Sequence, residues 1–146
     1  MIIYSMQHLL ILRLFMCYKF QNKAVLHHLL FLVSAAKSEE QALGFYDFTR
    51  LGSGAYSYSI QRLLEDLKAE KLIEEGDGCL QITDQGRHIY ISLGSSLKAF
   101  TNFWDLCFAI MERYQGDSRK LKCRVFCDIT FRRTRIGERI FDYCLY

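Results

Sequence analysis

Proline is absent from the 146 residues. Average usage of about 5% would place roughly seven. Its absence excludes rigid linkers and polyproline ligand segments, and favours helices joined by short Gly or Asn turns. Long hydrophobic runs are missing as well, since none reaches the about 18 apolar residues that span a bilayer. The N-terminal "HLLILRLFMCYKF" comes nearest, but Arg13 interrupts it. With neither a basic leader nor a small-residue cleavage site, it is expected to be an amphipathic core helix rather than a signal peptide. The cysteines are too thinly spread for a disulfide scaffold: Cys17, Cys79, Cys107, Cys123, Cys127 and Cys144 show none of the dense spacing of small secreted domains. Most stand in apolar, helix-like contexts, as buried free thiols do. A reducing, cytoplasmic setting is the expectation.

Catalytic and cofactor signatures are lacking too. There is no G-x-S-x-G, P-loop or G-x-G-x-x-G, and Gly52-Ser53-Gly54 is too short to cradle a phosphate. Cys123 and Cys127 share a helix face but lack the further ligands that zinc needs, so they read as core thiols. His27 and His28 point about 100° apart on a helix, one expected near the surface and the other packed. The adjacent pairs Glu65/Asp66 and Glu74/Glu75 have no evident pocket to separate their pKa values. No enzyme activity, metal or cofactor is expected.

What is present suits one domain over residues 1–146, with a core over about 20–92 and a helical extension over about 95–146. Apolar residues make up 51% of the chain and charged ones 24%, enough to bury a core. Leu9, Leu12, Phe15 and Met16 recur at helical spacing over 5–18. A second helix over 23–36, capped by Asn22, is apolar nearly all round. Lys37–Gly44 reads as a polar connection, and Phe45–Gly54 as an irregular piece ending in a turn. Ile60, Leu63, Leu64 and Leu67 mark a third helix over 57–70, capped by Ser57 or Ser59, with Leu72 and Ile73 dropping back into the core. Glu75-Gly76-Asp77-Gly78 is a hairpin turn, with a strand through Cys79, Leu80 and Ile82 after it. Residues 85–113 read as helix interrupted near Leu93–Ser96, with a core stripe of Phe100, Phe103, Trp104, Cys107, Phe108 and Met111. A last helix is expected over 119–131, with Ser118 as its cap.

That order makes an α+β, mostly α fold: a winged helix-turn-helix core with a short β-hairpin wing and added N- and C-terminal helices. Lys23–Val33, Phe45–Phe48, Gly54-Ala55-Tyr56-Ser57, Leu64–Ile73 and Ile82-Thr83-Asp84-Gln85-Gly86 together resemble the Panacea-domain and YwgA-like proteins, a prokaryotic group often associated with antitoxins and mobile elements. The similarity covers about 23–131, departing where Ala55 stands for Pro and Phe126 for Tyr, and the basic tail beyond Phe131 has no counterpart. The resemblance implies a winged-helix shape used to hold protein partners and, in some members, nucleic acid.

Charge is unevenly placed. Residues 1–118 carry 11 Lys and Arg against 13 Asp and Glu, a net of −2, whereas residues 119–146 carry 8 against 3, a net of +5. Two candidate surfaces follow. Arg119, Lys120, Lys122, Arg124, Arg132, Arg133, Arg135 and Arg139 have the electrostatics for nucleic acid or an acidic partner. Arg62, Glu65, Asp66, Lys68, Glu74, Glu75 and Asp77 form a helix-and-wing face too acidic for phosphate. The expected function is a regulatory or antitoxin-like protein-interaction module whose partner is a toxin or regulator. The alternative is a transcriptional regulator binding double-stranded DNA through its basic end. No membrane contact is expected, and the aromatic Phe141–Tyr146 suits docking of a second subunit in a homodimer.

Overall fold

The computed structural model describes residues 5–36, 47–93 and 101–140. Within them the chain is α+β and mostly helical, with two small antiparallel hairpins. Helix α1 (Met6–Cys17) begins on Ser5, whose Oγ accepts from the His8 N–H while its own N–H donates to His8 Nδ1. Helix α2 (Lys23–Ala35) begins on Asn22, which accepts from the Val25 N–H at 3.2 Å. Its residues Val25 to Val33 are buried without a break, so α2 is the central rod of the core. Both caps meet N–H groups that have no helical partner.

Strands β1 (Phe48–Leu51) and β2 (Gly54–Ser57) pair with Leu51 opposite Gly54. This is a hairpin where the sequence suggests an irregular stretch. Ser57 then caps α3 (Tyr58–Ala69), accepting from the Ile60 N–H at 3.3 Å, and Ile60, Leu63, Leu64 and Leu67 turn inward as their spacing requires. Strands β3 (Ile73–Gly76) and β4 (Cys79–Ile82) form the second hairpin. Its Asp77-Gly78 turn has both φ values positive, at 52° and 77°, the conformation that favours Asp-Gly between tightly twisted strands. The segment between α1 and α2 joins this hairpin: Phe20 and Leu80 exchange backbone hydrogen bonds of 2.9 and 2.7 Å.

Helix α4 (Asp84–Leu93) packs on α1, and α5 (Thr101–Tyr114) on α2. Phe103, Trp104, Cys107 and Met111 of the aromatic stripe are buried, and Phe108 is half-buried. Phe100, the Leu93–Ser96 interruption beyond Leu93, the Lys37–Gly44 connection, Cys144 and Phe141–Tyr146 lie outside the described residues. Helix α6 (Ser118–Cys127) is capped by Asp117 rather than Ser118, because the Asp117 carboxylate takes the N–H groups of Arg119 and Lys120 at 2.9 and 3.1 Å. It runs beside α2 in the same direction. Its start meets Gln21 and Asn22 through Ser118, and Arg124 and Asp128 near its end share a groove with Leu32 and Ala35.

The single helix expected over 119–131 is in fact broken. Asp128 has extended backbone, with ψ at 132°, and caps a separate α7 (Ile129–Arg133) through the Phe131 N–H at 2.9 Å. The break turns Phe131 into the core beside Phe31 and Phe126. The chain then lays residues 137–140 along the outer edge of β1, with bonds Gly137 N–H to Arg50 O, Arg50 N–H to Glu138 O and Ile140 N–H to Phe48 O of 2.6, 3.0 and 2.8 Å. No helix among the described residues is long and apolar enough to cross a membrane.

Candidate functional site

Two surfaces stand apart from the core. The first is a cleft of about 590 Å³ between α3, the β3–β4 hairpin and the start of α2. Leu64, Ile73 and Leu80 make its floor, and Gln21, Asn22, Lys23, Gln61, Glu65, Lys68, Glu75 and Asp77 its rim. Strand alternation decides which hairpin residues take part: Ile73 and Glu75 point into the cleft, whereas Glu74 points away and accepts from Gln81 at 3.4 Å. Lys68 Nζ bonds Glu75 Oε1 at 2.8 Å, tying α3 to the β3–β4 hairpin and holding the Glu75 carboxyl below its ordinary range. With Lys68 so paired, Glu65, Asp77 and Lys23 set the remaining charge.

The acidic face expected from sequence is therefore divided. Glu65, Lys68, Glu75 and Asp77 reach the cleft. Arg62 lies in a shallow neighbouring groove with Gln7, Tyr56 and Tyr58. Asp66 turns toward α1, where its Oδ2 meets His8 Nε2 at 2.9 Å. Asp66 thus joins two helices while its side chain stays 37% exposed.

The second surface is the C-terminal arm, α7 with the turn after it. Arg132, Arg133 and Arg135 are exposed and, among the described residues, make no ion pair. Between and beside them stand Ile129 and Ile136, 64% and 68% exposed. Arg139 lies 3.9 Å from Asp47. The four cations of α6 do not join this group on one face. Leu121 and Val125 face inward, so helical spacing puts Lys122 and Arg119 on one flank and Lys120 and Arg124 on the other. Lys122 approaches the Phe126 ring at 5.8 Å, Lys120 donates to Gln115 at 2.6 Å, and Arg124 lines the groove against α5.

Arg50 builds the arm. From β1 its Nη1 donates to the carbonyls of Phe131, Arg132 and Thr134 at 3.1, 3.2 and 2.7 Å, and its guanidinium stacks on the Phe131 ring at 4.6 Å. A cation on the last carbonyls of a helix satisfies acceptors that lack helical donors. Sequence spacing carries no trace of this role, since the acceptors lie more than 80 residues downstream. Arg50→Met keeps the stem and strips those donors, so we expect a loss of about 2–4 kcal/mol. The loss would be read as a lower urea midpoint with faster amide exchange at Gly137 and Ile140; unchanged exchange at both amides would contradict the role.

Two expectations about reactive side chains are corrected. His27 and His28 are both buried, at 2% and 3% exposure, because β2 covers the α2 flank that would otherwise be open. His27 stacks on Tyr56 at 4.7 Å and accepts from the Ser57 N–H at Nδ1, and the His28 ring lies against Gly54. The thiols read as core are mostly not core: Cys107 alone of the five described is buried, where burial raises its pKa, while Cys17, Cys123 and Cys127 are exposed and Cys79 is half-buried. Cys123 and Cys127 sit on the outward side of an amphipathic α6 rather than under it. Among the described residues no three His, Cys, Asp or Glu side chains gather as a metal site would require. No protein-family model matches the chain, and no curated protein or solved structure matches it.

Proposed function

We propose that this chain is a protein-interaction module of winged-helix type, regulatory or antitoxin-like, which docks a basic protein segment in the cleft between α3 and the β3–β4 wing. The cleft itself carries the reading. An apolar floor of Leu64, Ile73 and Leu80 lies under a rim where Glu65, Glu75 and Asp77 outnumber Lys23 and Lys68, which suits an apolar side chain flanked by cations better than phosphate. The winged-helix element of the proposal is supported by chain order and by the isolated Phe20–Leu80 bridge, which places the segment before α2 beside β4. Membership of the Panacea-domain and YwgA-like group would agree with both.

A photo-crosslinking residue placed at Glu65 should give protein adducts in cells, and one at Arg87, exposed on α4, should not. Equal yields at the two positions would sink the assignment. The DNA alternative is tested with random duplex at about 50 mM salt, where phosphate contacts are strongest. No measurable affinity is expected. Binding that disappears in an Arg132→Glu, Arg133→Glu, Arg135→Glu variant would instead assign the protein to DNA through the arm.

A further inference from the structure

We propose that the segment received by the cleft is the C-terminal arm of a second copy of this chain, with Ile129 and Ile136 against the apolar floor and Arg132, Arg133 and Arg135 against Glu65, Glu75 and Asp77. The inference rests on the cleft being a protein-docking site and names its occupant.

The two surfaces match in chemistry and in layout. Exposed apolar area rimmed by polar groups is one form that a protein-interaction site takes. Here two isoleucines, each about two-thirds exposed, stand beside three arginines that make no ion pair among the described residues. The cleft offers a partial converse, apolar beneath, with Glu65, Glu75 and Asp77 on its rim outnumbering Lys23 and Lys68. An apolar centre within a charged rim is the arrangement of a binding hot spot, and the opposed charges fix its register.

The arm cannot reach the cleft of its own chain. Helix α6 starts at the cleft rim, where the Gln21 side chain accepts from the Ser118 N–H at 3.0 Å. Ten residues of helix carry the chain about 15 Å away before α7 begins. There Arg50 and the three backbone bonds to β1 fix the arm in place. A rigid, outward-held arm loses little freedom on docking. Each copy has one arm and one cleft, so two copies that exchange arms about a two-fold axis make two identical contacts.

Complementary charge reversal tests the pairing. At about 100 µM protein and about 50 mM salt the unmodified chain should sediment as a dimer, and at about 0.5 M salt as a monomer, since exposed charge pairs are screened there. Glu65→Lys with Glu75→Lys should weaken dimerisation at least about tenfold, and Arg133→Glu with Arg135→Glu likewise. All four positions are exposed, and circular dichroism checks that each variant keeps its helices. Mixing the two variants should restore a one-to-one dimer. Ile136→Asp should dissociate the unmodified pair. A monomer in every condition, a dimer indifferent to both reversals, or a mixture that stays monomeric overturns the proposal. If the chain is monomeric while the crosslinker at Glu65 still captures another protein, only the second-copy occupant fails. If that crosslink is lost as well, the cleft reading fails with it.

Discussion

Lowering the pH from 6.5 to 5 should cost this protein about 3 kcal/mol of stability, before carboxylates of the unfolded chain begin to take up protons. His27 and His28 set this expectation. Burial holds each imidazole down to about 4. At His27 the Gln61 side chain opposes that shift, and the neighbouring His28 and Lys23 add to it; at His28 Lys122 adds to it. In the unfolded chain both return to about 6.5. The folded state thus prefers neutral rings. The stability tied to that preference is complete above about 6.5, declines as pH falls, and is gone near 4, at about 3 kcal/mol for each ring over the whole window. Against a typical total of about 5–15 kcal/mol, two such rings decide whether the fold survives mild acid. Urea midpoints taken at pH 7, 6, 5.5 and 5 give the slope directly. His28→Leu should roughly halve it by removing one of the two proton sites. A flat profile over this range would show that the rings are not held neutral.

The sequence was most legible where local chemistry decides structure. Asn22 and Ser57 carry side chains that cap helices without help from elsewhere. Asp77-Gly78 takes the positive φ angles that make a hairpin turn. Ile60, Leu63, Leu64 and Leu67 have only one way to face inward together. Legibility failed where long-range partners decide. Four-residue strands such as β1 and β2 are too short for alternation to register. Phe48 is buried in β1 because Phe31 waits for it, edge to face at 5.5 Å. Asp128 reads as one more polar residue on a helix until Phe131 has to enter the core and Arg50 receives the carbonyls beyond it.

The candidate surfaces divide in the same way. Glu65, Glu75 and Asp77 stand out as acidic from sequence, and they line the cleft. Net charge cannot show that Asp66 is engaged by His8, or that helical spacing sends Lys122 and Arg124 to opposite flanks of α6. Nor does a hydropathy pattern single out Ile129 and Ile136, because outward exposure of an apolar residue is a property of the packed molecule.

Gly54→Ala should be the most damaging single exchange at β2, with a loss of about 3–5 kcal/mol. Two causes combine. Gly54 has φ at +133°, a region that side-chain-bearing residues occupy only at a cost of about 1–3 kcal/mol. Its missing Cβ would also fall on the His28 ring, against Nε2 and Cε1, an overpacking cost of about 1–3 kcal/mol. A double-mutant cycle separates them. His28→Ala removes the ring, so adding it to Gly54→Ala should return the collision part as a favourable coupling of about 1–3 kcal/mol, while the φ strain stays. A Gly54→Ala cost below about 1 kcal/mol would contradict both. The consequence extends beyond β2. Gly54 pairs with Leu51 in β1, and β1 carries Arg50 and the edge on which residues 137–140 lie. An exchange far from the cleft should therefore loosen the arm, with faster amide exchange at Gly137 and Ile140. Under conditions where Gly54→Ala remains folded, self-association should weaken with it, because an arm no longer held outward must be ordered again each time it docks.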